Sequence, residues 1–256
     1  MILRPRRPVF ASLAFALLAF AGRAQASAQE GPQAAAAAIL AGSHLFGSSP
    51  CEVIKLEMDI RSGAEGKKRE VELSIDRRGG RVLILARILS PAFLTDMKFL
   101  KRSEPGQPDS QWVRTSRGTR RLGASNRSEA VFGSHFTAED FGNVDAAAFA
   151  LGLAPERDAA GARAVSALPK GPAGYARRLV LVDRATGLVT AMEYLDASGA
   201  AIRRYRVTSV SGEGSAARPS EAVMEDLAGG GSTILRVLGY STPASLPERL
   251  FNPGAL

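Results

Sequence analysis

Between residues 51 and 76 the chain switches between apolar and polar at nearly every step. Ile54, Leu56, Met58 and Ile60 alternate with Lys55, Glu57, Asp59 and Arg61. After a Gly- and charge-rich turn at 62–68, Val71, Leu73 and Ile75 alternate with Glu70, Glu72, Ser74 and Asp76. A period of two places one set of side chains on a buried face and the other in water, which a helix of 3.6 residues per turn cannot do. Two such runs joined by a tight turn predict an antiparallel hairpin.

The same grammar continues along the chain. Arg78-Gly79-Gly80 makes the next turn, and Arg81 to Leu89 reads as a strand apolar on both faces. Pro91 breaks it; Phe93 to Lys101 is predicted as a fourth strand and Gln111 to Thr115 as a short fifth around the single Trp112. Residues 116–160 lose the alternation. There Thr137-Ala138-Glu139-Asp140 fits a capping box at the start of a helical turn, and Asp145 to Leu153 reads as a short Ala-rich helix. Strands return at Ala162–Leu168, Tyr175–Asp183, Gly187–Leu195, Ala201–Val210, Arg218–Asp226 and Ser232–Ser241, with Gly-containing turns between most of them. Gly229-Gly230-Gly231 is one such turn and not a phosphate loop, since no strand–turn–helix context or Lys follows. Pro247 to Phe251 ends the chain as a helical turn.

This pattern predicts a mainly β (α+β) fold of about ten or eleven strands, too many for a flat antiparallel sheet of modest size. The expected architecture is a curled, half-open barrel with a greasy concave face and a short helical lid. A sheet too wide for its plug would leave an apolar, lipid-sized pocket.

The N-terminus sets the compartment. Arg4, Arg6 and Arg7 precede an uncharged run from Val9 to Gly22, and small residues follow at Ala24-Gln25-Ala26 and Ala26-Ser27-Ala28. This is the pattern of a secretory signal peptide over residues 1–26; the apolar run is short for a membrane anchor. Residues 27–50 form a lead-in, either flexible or holding a short helix from Pro32 to Leu40 with Gly47 past its end. Residues 51–256 form a single domain. The whole chain carries 33 Lys+Arg against 25 Asp+Glu, a net charge of +8. The export signal holds Arg4, Arg6, Arg7 and Arg23 and no acid, so 29 against 25 remain and the mature charge is +4. That mild basicity suits an anionic membrane surface without requiring one, and export argues against nucleic-acid partners. Cys51 is the only cysteine, so packing rather than an internal disulfide holds the fold; it reads as a small strand-edge residue, with an intermolecular bridge as the other use.

The run FLTDMKFLKRSEPGQPDSQWVRTSRGTRRLGASNRSEAVFGSHFTAEDF, residues 93–141, resembles the outer-membrane lipoprotein-sorting protein family, relatives of the LolA/LolB carriers. The resemblance rests on Phe99-Leu100-Lys101-Arg102, Trp112, the basic stretch from Arg114 to Arg127, Gly133-Ser134-His135-Phe136-Thr137 and Glu139-Asp140. It extends through Leu179–Val210 and Leu246–Leu256. Two positions depart from the family pattern: His135 stands where Asp is usual, and Val113-Arg114-Thr115 replaces a Leu-Pro after the Trp strand. The resemblance implies an incomplete barrel with a helical lid that takes acyl chains in the periplasm.

The candidate cavity residues are Ile54, Leu56, Met58, Val71, Leu73 and Ile75, joined by Met97, Phe99 and Trp112. An underfilled core and a lipid pocket look alike in sequence, so these residues either line a cavity or fill a core. Phe132, Phe136 and Phe141 are lid candidates, or they pack the lid shut. Arg114, Arg117, Arg120, Arg121 and Arg127 form either a solvated loop or a contact for anionic headgroups or an acidic partner near the cavity mouth. His44 and His135 are the only histidines; no zinc spacing, no Gly-x-Ser-x-Gly elbow and no carboxylate pair stands out.

The reading is therefore a periplasmic, non-catalytic, monomeric carrier of lipoprotein or phospholipid acyl chains, without metal or cofactor. Possible partners are a transient membrane surface and an inner-membrane transporter. The alternative is an adaptor docking on such a transporter with no lipid aboard. A hydrolase is the third class, and no residue pattern supports it. On export, N-terminal sequencing of the secreted form is expected to start within a few residues of Ser27; a first residue still at Met1 contradicts the signal assignment.

Overall fold

The computed structural model describes residues 31–123, 128–141 and 148–256. The signal segment, Arg127 and the first three residues of the Ala-rich helix expected at 145–153 lie outside the described residues.

Thirteen strands form one antiparallel sheet among the described residues, in the spatial order β6-β5-β4-β3-β2-β1-β13-β12-β11-β10-β9-β8-β7. The first half contributes β1 (Cys51–Ser62), β2 (Glu65–Asp76), β3 (Val82–Ser90), β4 (Lys98–Ser103), β5 (Ser110–Thr115) and β6 (Gly118–Arg121). The second half contributes β7 (Phe149–Leu153), β8 (Ala162–Pro169), β9 (Arg177–Asp183), β10 (Val189–Leu195), β11 (Ala201–Ser211), β12 (Arg218–Asp226) and β13 (Ser232–Ser241). Each half is a meander of neighbours in sequence. The two halves join where β1 pairs with β13, Met58 lying opposite Leu235. The sheet stays open at β6 and β7, giving a curled half-barrel. One α-helix, α1 (31–41), covers part of the inner face.

The alternation read from sequence becomes two faces. Ile54, Leu56, Met58, Val71, Leu73 and Ile75 all lie on the inner face in one cluster. Leu83, Leu85, Leu100 and Cys51 point to the outer face, where Leu246, Phe251 and Leu256 of the C-terminal tail cover them. That cover explains why β3 is apolar on both faces. Cys51 is buried beneath the tail with a free thiol.

The structure revises four expectations. There are thirteen strands rather than ten or eleven, because β6 and β7 form in the stretch that lacks alternation. The fourth strand starts at Lys98, not Phe93: residues Ala92–Leu94 make a 3₁₀ turn after Pro91, and Phe93 is 83% exposed. Residues Phe149–Leu153 pair with β8 as a strand instead of extending a helix. Helix α1 ends at Gly42, whose N–H reaches the Ala38 carbonyl at 3.2 Å, five residues before the expected Gly47.

Arginines fasten the tail to the outer face. Arg78 donates to Asp76 at 2.6 Å and to the Leu246 carbonyl at 3.3 Å, and Arg81 pairs with Glu248 at 2.6 Å. Asp76 is fully buried between Arg78 and Arg81. The Arg78 hydrogen bond, above all, lowers the Asp76 carboxyl from its ordinary 3.8 to about 2. A carboxyl depressed in the folded state stabilises the protein above its unfolded pKa and loses that contribution as pH falls through its folded pKa. The Asp76 share, about 2 kcal/mol at neutral pH, is therefore expected to fade between about pH 4 and pH 2. Urea titrations across that range should show Asp76→Asn flattening this part of the pH dependence; a variant that tracks the parent protein contradicts the assignment.

Candidate functional site

The segment linking β6 to β7 fills much of the inner face. Its residues Leu122, Val131, Phe132, Phe136, Ala138 and Phe141 are buried in the same cluster as the strand residues. Phe136 lies 6.1 Å from Phe141 and from Tyr205, and Phe141 lies 5.8 Å from Phe99, ring centre to ring centre. Phe132 adopts a left-handed backbone at φ 57°, a conformation rare for a bulky side chain. Arg69 holds it there, its Nε donating to the Phe132 carbonyl at 2.9 Å. His135 ties the segment to β13 through Thr233, its backbone N–H at 3.0 Å and its Nδ1 at 2.9 Å from the hydroxyl.

One carboxylate pins the end of this plug. Residues Ala138–Phe141 form a single 3₁₀ turn. As the capping pattern implies, the Asp140 carboxylate accepts the Thr137 N–H, at 2.6 Å. The Thr137 hydroxyl donates to the same oxygen at 3.0 Å rather than accepting a backbone N–H. Asp140 also accepts from the Tyr194 hydroxyl and pairs with Arg203 at 2.5 Å. Arg178, Tyr194 and Arg203 form a row, Tyr194 directly opposite Arg178 on β9 and Arg203 on β11. The Tyr194 ring is flanked by both guanidiniums, at 4.8 and 4.5 Å. Glu139 lies 3.6 Å from Arg178 and accepts from Tyr175 at 3.3 Å. Burial pushes the Glu139 carboxyl up despite the nearby Arg178.

Beyond this pin lies a cavity of about 430 Å³, within the range of small-molecule sites. Helix α1 covers it with Ala37, Leu40 and Ala41. The loop residues Leu45 and Phe46, Ile75 and Ile84 of the first hairpins, and Val180, Val189 and Met192 of β9 and β10 complete an apolar wall. Loop 43–46 is stitched to the turn between β9 and β10. The His44 N–H meets the Gly187 carbonyl at 3.0 Å, and the Val189 N–H meets the His44 carbonyl at 2.9 Å. Gly187, at φ +74°, admits this approach; a Cβ there would lie 2.8 Å from the Gly42 carbonyl oxygen. His44 Nε2 donates to the Thr186 carbonyl at 3.1 Å, and burial lowers the imidazole pKa, so Nδ1 carries a lone pair.

Two residues of the cavity wall each carry a fully buried side-chain atom with no hydrogen-bond partner among the described residues: Arg178 Nε and His44 Nδ1. A buried polar atom left unmatched costs about 1–3 kcal/mol.

Of the expected cavity residues, only Ile75 lines this space, together with the lid residue Phe141. Ile54, Leu56, Met58, Val71, Leu73 and Phe99 are buried in the cluster the plug fills, and Met97 packs against its margin. Trp112 faces the other way, beneath the C-terminal tail, because Trp112 pairs with the outward Leu100 while Val113 pairs with the inward Phe99. Among the described residues, Arg114, Arg117, Arg120 and Arg121 do not line the cavity. Arg114 reaches the Leu256 carbonyl at 2.5 Å, Arg121 stacks 5.7 Å from the Trp112 ring, and Arg120 pairs with Glu129. Arg117 is exposed in the β5–β6 turn. The sequence reading missed Arg178 and Arg203. Strand parity could have found them: Arg178 shares its face with Val180 and Val182, and Arg203 with Tyr205.

An open antiparallel half-barrel whose hollow is shared by a plug and a helical cover is the LolA-like fold. Solved structures agree. A domain assigned to outer-membrane lipoprotein sorting from Vibrio parahaemolyticus superimposes with a TM-score of 0.75 at 21% identity, covering 88% of this chain and 98% of that one. A DUF1329 family protein from Desulfovibrio piger gives 0.75 at 19% identity, covering 88% and 99%. A LolA superfamily protein from Nitrosomonas europaea gives 0.66 at 14%, covering 86% and 99%. A family model described as "Uncharacterized protein" matches residues 80–256, and the chain belongs to that family. No curated protein matches it.

The pin makes a direct prediction. Asp140→Asn leaves buried Arg178 and half-buried Arg203 with one counter-charge fewer. It is expected to destabilise the protein by about 3 kcal/mol, read as a lower urea midpoint; a shift below about 0.5 kcal/mol, the scale of an ordinary surface substitution, contradicts the pin.

Proposed function

We propose that this protein is a non-catalytic periplasmic carrier that takes a hydrocarbon chain into the cavity between α1 and the inner face. The single observation behind this reading is an apolar-walled hollow of about 430 Å³ that the plug leaves unfilled. The LolA-like fold supports it, as do the lipoprotein-sorting assignment of one structural neighbour and the signal-peptide pattern at residues 1–26. Among the described residues no helix is long and apolar enough to cross a membrane.

The physics of retention is simple. Each buried methylene contributes about 0.8 kcal/mol, so about ten of them hold a guest by about 8 kcal/mol without any specific polar contact. Release then requires that the guest exchange into another apolar phase, such as a membrane or a partner's groove.

A second reading has its own support. Most of the inner face is packed by Phe132, Phe136 and Phe141, as an adaptor module docking on an inner-membrane transporter without lipid would require.

Native mass spectrometry of protein isolated from the cell envelope is expected to show a bound lipid mass. Ala37→Trp, which fills the cavity from the partly buried face of α1, is expected to abolish that mass with little change in thermal midpoint. Lipid-free wild-type protein that still captures an inner-membrane partner favours the adaptor.

A further inference from the structure

The half-barrel ends in two edge strands of unlike character. β6 is the four-residue Gly-Thr-Arg-Arg, exposed throughout, and charges of that kind keep an edge from pairing with another chain. β7 is Phe-Ala-Leu-Gly-Leu, with no charge and no proline, and it pairs with β8 without a bulge. Among the described residues no strand lies on its other side. An edge of this composition lacks every device that blocks strand addition.

The hydrogen-bond phase of β7 fixes which of its groups face outward. The Ala154 N–H donates to the Ala164 carbonyl at 3.0 Å, and the Lys170 N–H donates to the Ala148 carbonyl at 2.9 Å. Bonded residues in an antiparallel ladder recur at every second position, so Ala150 and Gly152 also face β8. Phe149, Leu151 and Leu153 therefore turn their N–H and C=O groups away from the sheet. Among the described residues none of these groups has a partner. On the inner face Leu151 and Phe149 cluster with Ala36 of α1, and Leu151 lines the cavity. Leu153, on the same parity at the end of the row, is 42% exposed.

We infer, against the monomer expected from sequence, that β7 pairs antiparallel with β7 of a second copy of this chain, about a two-fold axis at Leu151. The outward residues are spaced evenly about that position. Leu151 then lies opposite its own copy and Phe149 opposite the partner's Leu153, three bonded pairs carrying about six hydrogen bonds. Opposed residues share a face, so the Phe–Leu pairs fall on the inner face, where an aromatic–aliphatic pair is favourable and Leu153 leaves water. On the outer face Ala150 meets the partner's Gly152, so neither charge nor bulk opposes the approach. β6 is the poorer partner strand. The Leu122 N–H donates to the Gln111 carbonyl, and the same phase leaves Thr119 and Arg121 facing outward. A β6–β7 contact would also repeat from copy to copy without closing, whereas β7–β7 closes at two. The dimer extends the wall that Leu151 contributes to the cavity.

The test is light scattering on size-exclusion chromatography of the purified exported protein across the micromolar range, which is expected to give the mass of a dimer. Leu153→Pro removes an outward N–H while sparing the bonds to β8. It is expected to raise the dimer dissociation constant by about tenfold or more. Thr119→Pro, the matching change on β6, is expected to leave the dimer intact. A cross-link needs no proline variant to fold. Copies carrying Ala150→Cys, mixed with copies carrying Gly152→Cys, are expected to form a disulfide, because a non-bonded pair about 4.5 Å apart lies within disulfide reach. The native Cys51 is buried beneath the C-terminal tail. A monomer throughout, a dimer indifferent to Leu153→Pro, a dimer lost in Thr119→Pro, or a mixture that forms no disulfide overturns the β7 pairing. The carrier reading stands or falls separately, on the lipid mass.

Discussion

An open sheet of thirteen strands cannot leave its concave face bare, and most of this molecule is the answer to that constraint. The inner face carries an apolar row from nearly every strand, and burial of that surface is the main favourable term in folding. A closed barrel would cover it by bringing its edges together. Here β6 and β7 stay apart, so the segment between them turns inward and supplies phenylalanines where a closing strand would otherwise lie. The plug is held by polar bonds at defined points: Arg69 on the Phe132 carbonyl, Thr233 on His135, and the Arg203–Tyr194 pair on Asp140.

The pin divides the hollow. On one side the plug packs against the inner rows of β1, β2 and β4 in one buried cluster. On the other, α1 covers the sheet more loosely, with alanines at the cavity that do not fill it. The buried charges sit on the boundary. They are well matched: each Asp140 oxygen is occupied, and the Tyr194 ring lies against both guanidiniums. A matched network of this kind fixes one arrangement of plug on sheet, since any slip would strand a buried charge. Arg178 itself lies at the edge of that network, its guanidinium covered by the Phe149, Tyr175 and Tyr194 rings.

Much of the fold was legible because period two is a local property. In the second half the strand limits read from sequence fall within a few residues of those observed, Arg218–Asp226 and Ser232–Ser241 without change. The misses share one cause. Gly118–Arg121 and Phe149–Leu153 carry little strand signal of their own and extend because β5 and β8 offer partners. Phe93 looked like strand because it is apolar, yet the turn after Pro91 places it in solvent. Trp112 and Val113 are apolar neighbours on opposite faces, and nothing local says which is inside. The answer comes from Leu246, Phe251 and Leu256, more than a hundred residues later in the chain.

By itself the sequence determined the class of sheet, the inner rows of the first hairpin, the plug position and the export pattern, since each follows from residue order over a few positions. Only the tertiary structure decided where the inner face keeps a cavity, that Arg203 meets Asp140 and Arg178 meets Glu139, and that Arg114 reaches the C-terminal tail. Those outcomes depend on how far a connecting segment reaches across a curved surface and which distant side chains it meets there, and no local period encodes that distance.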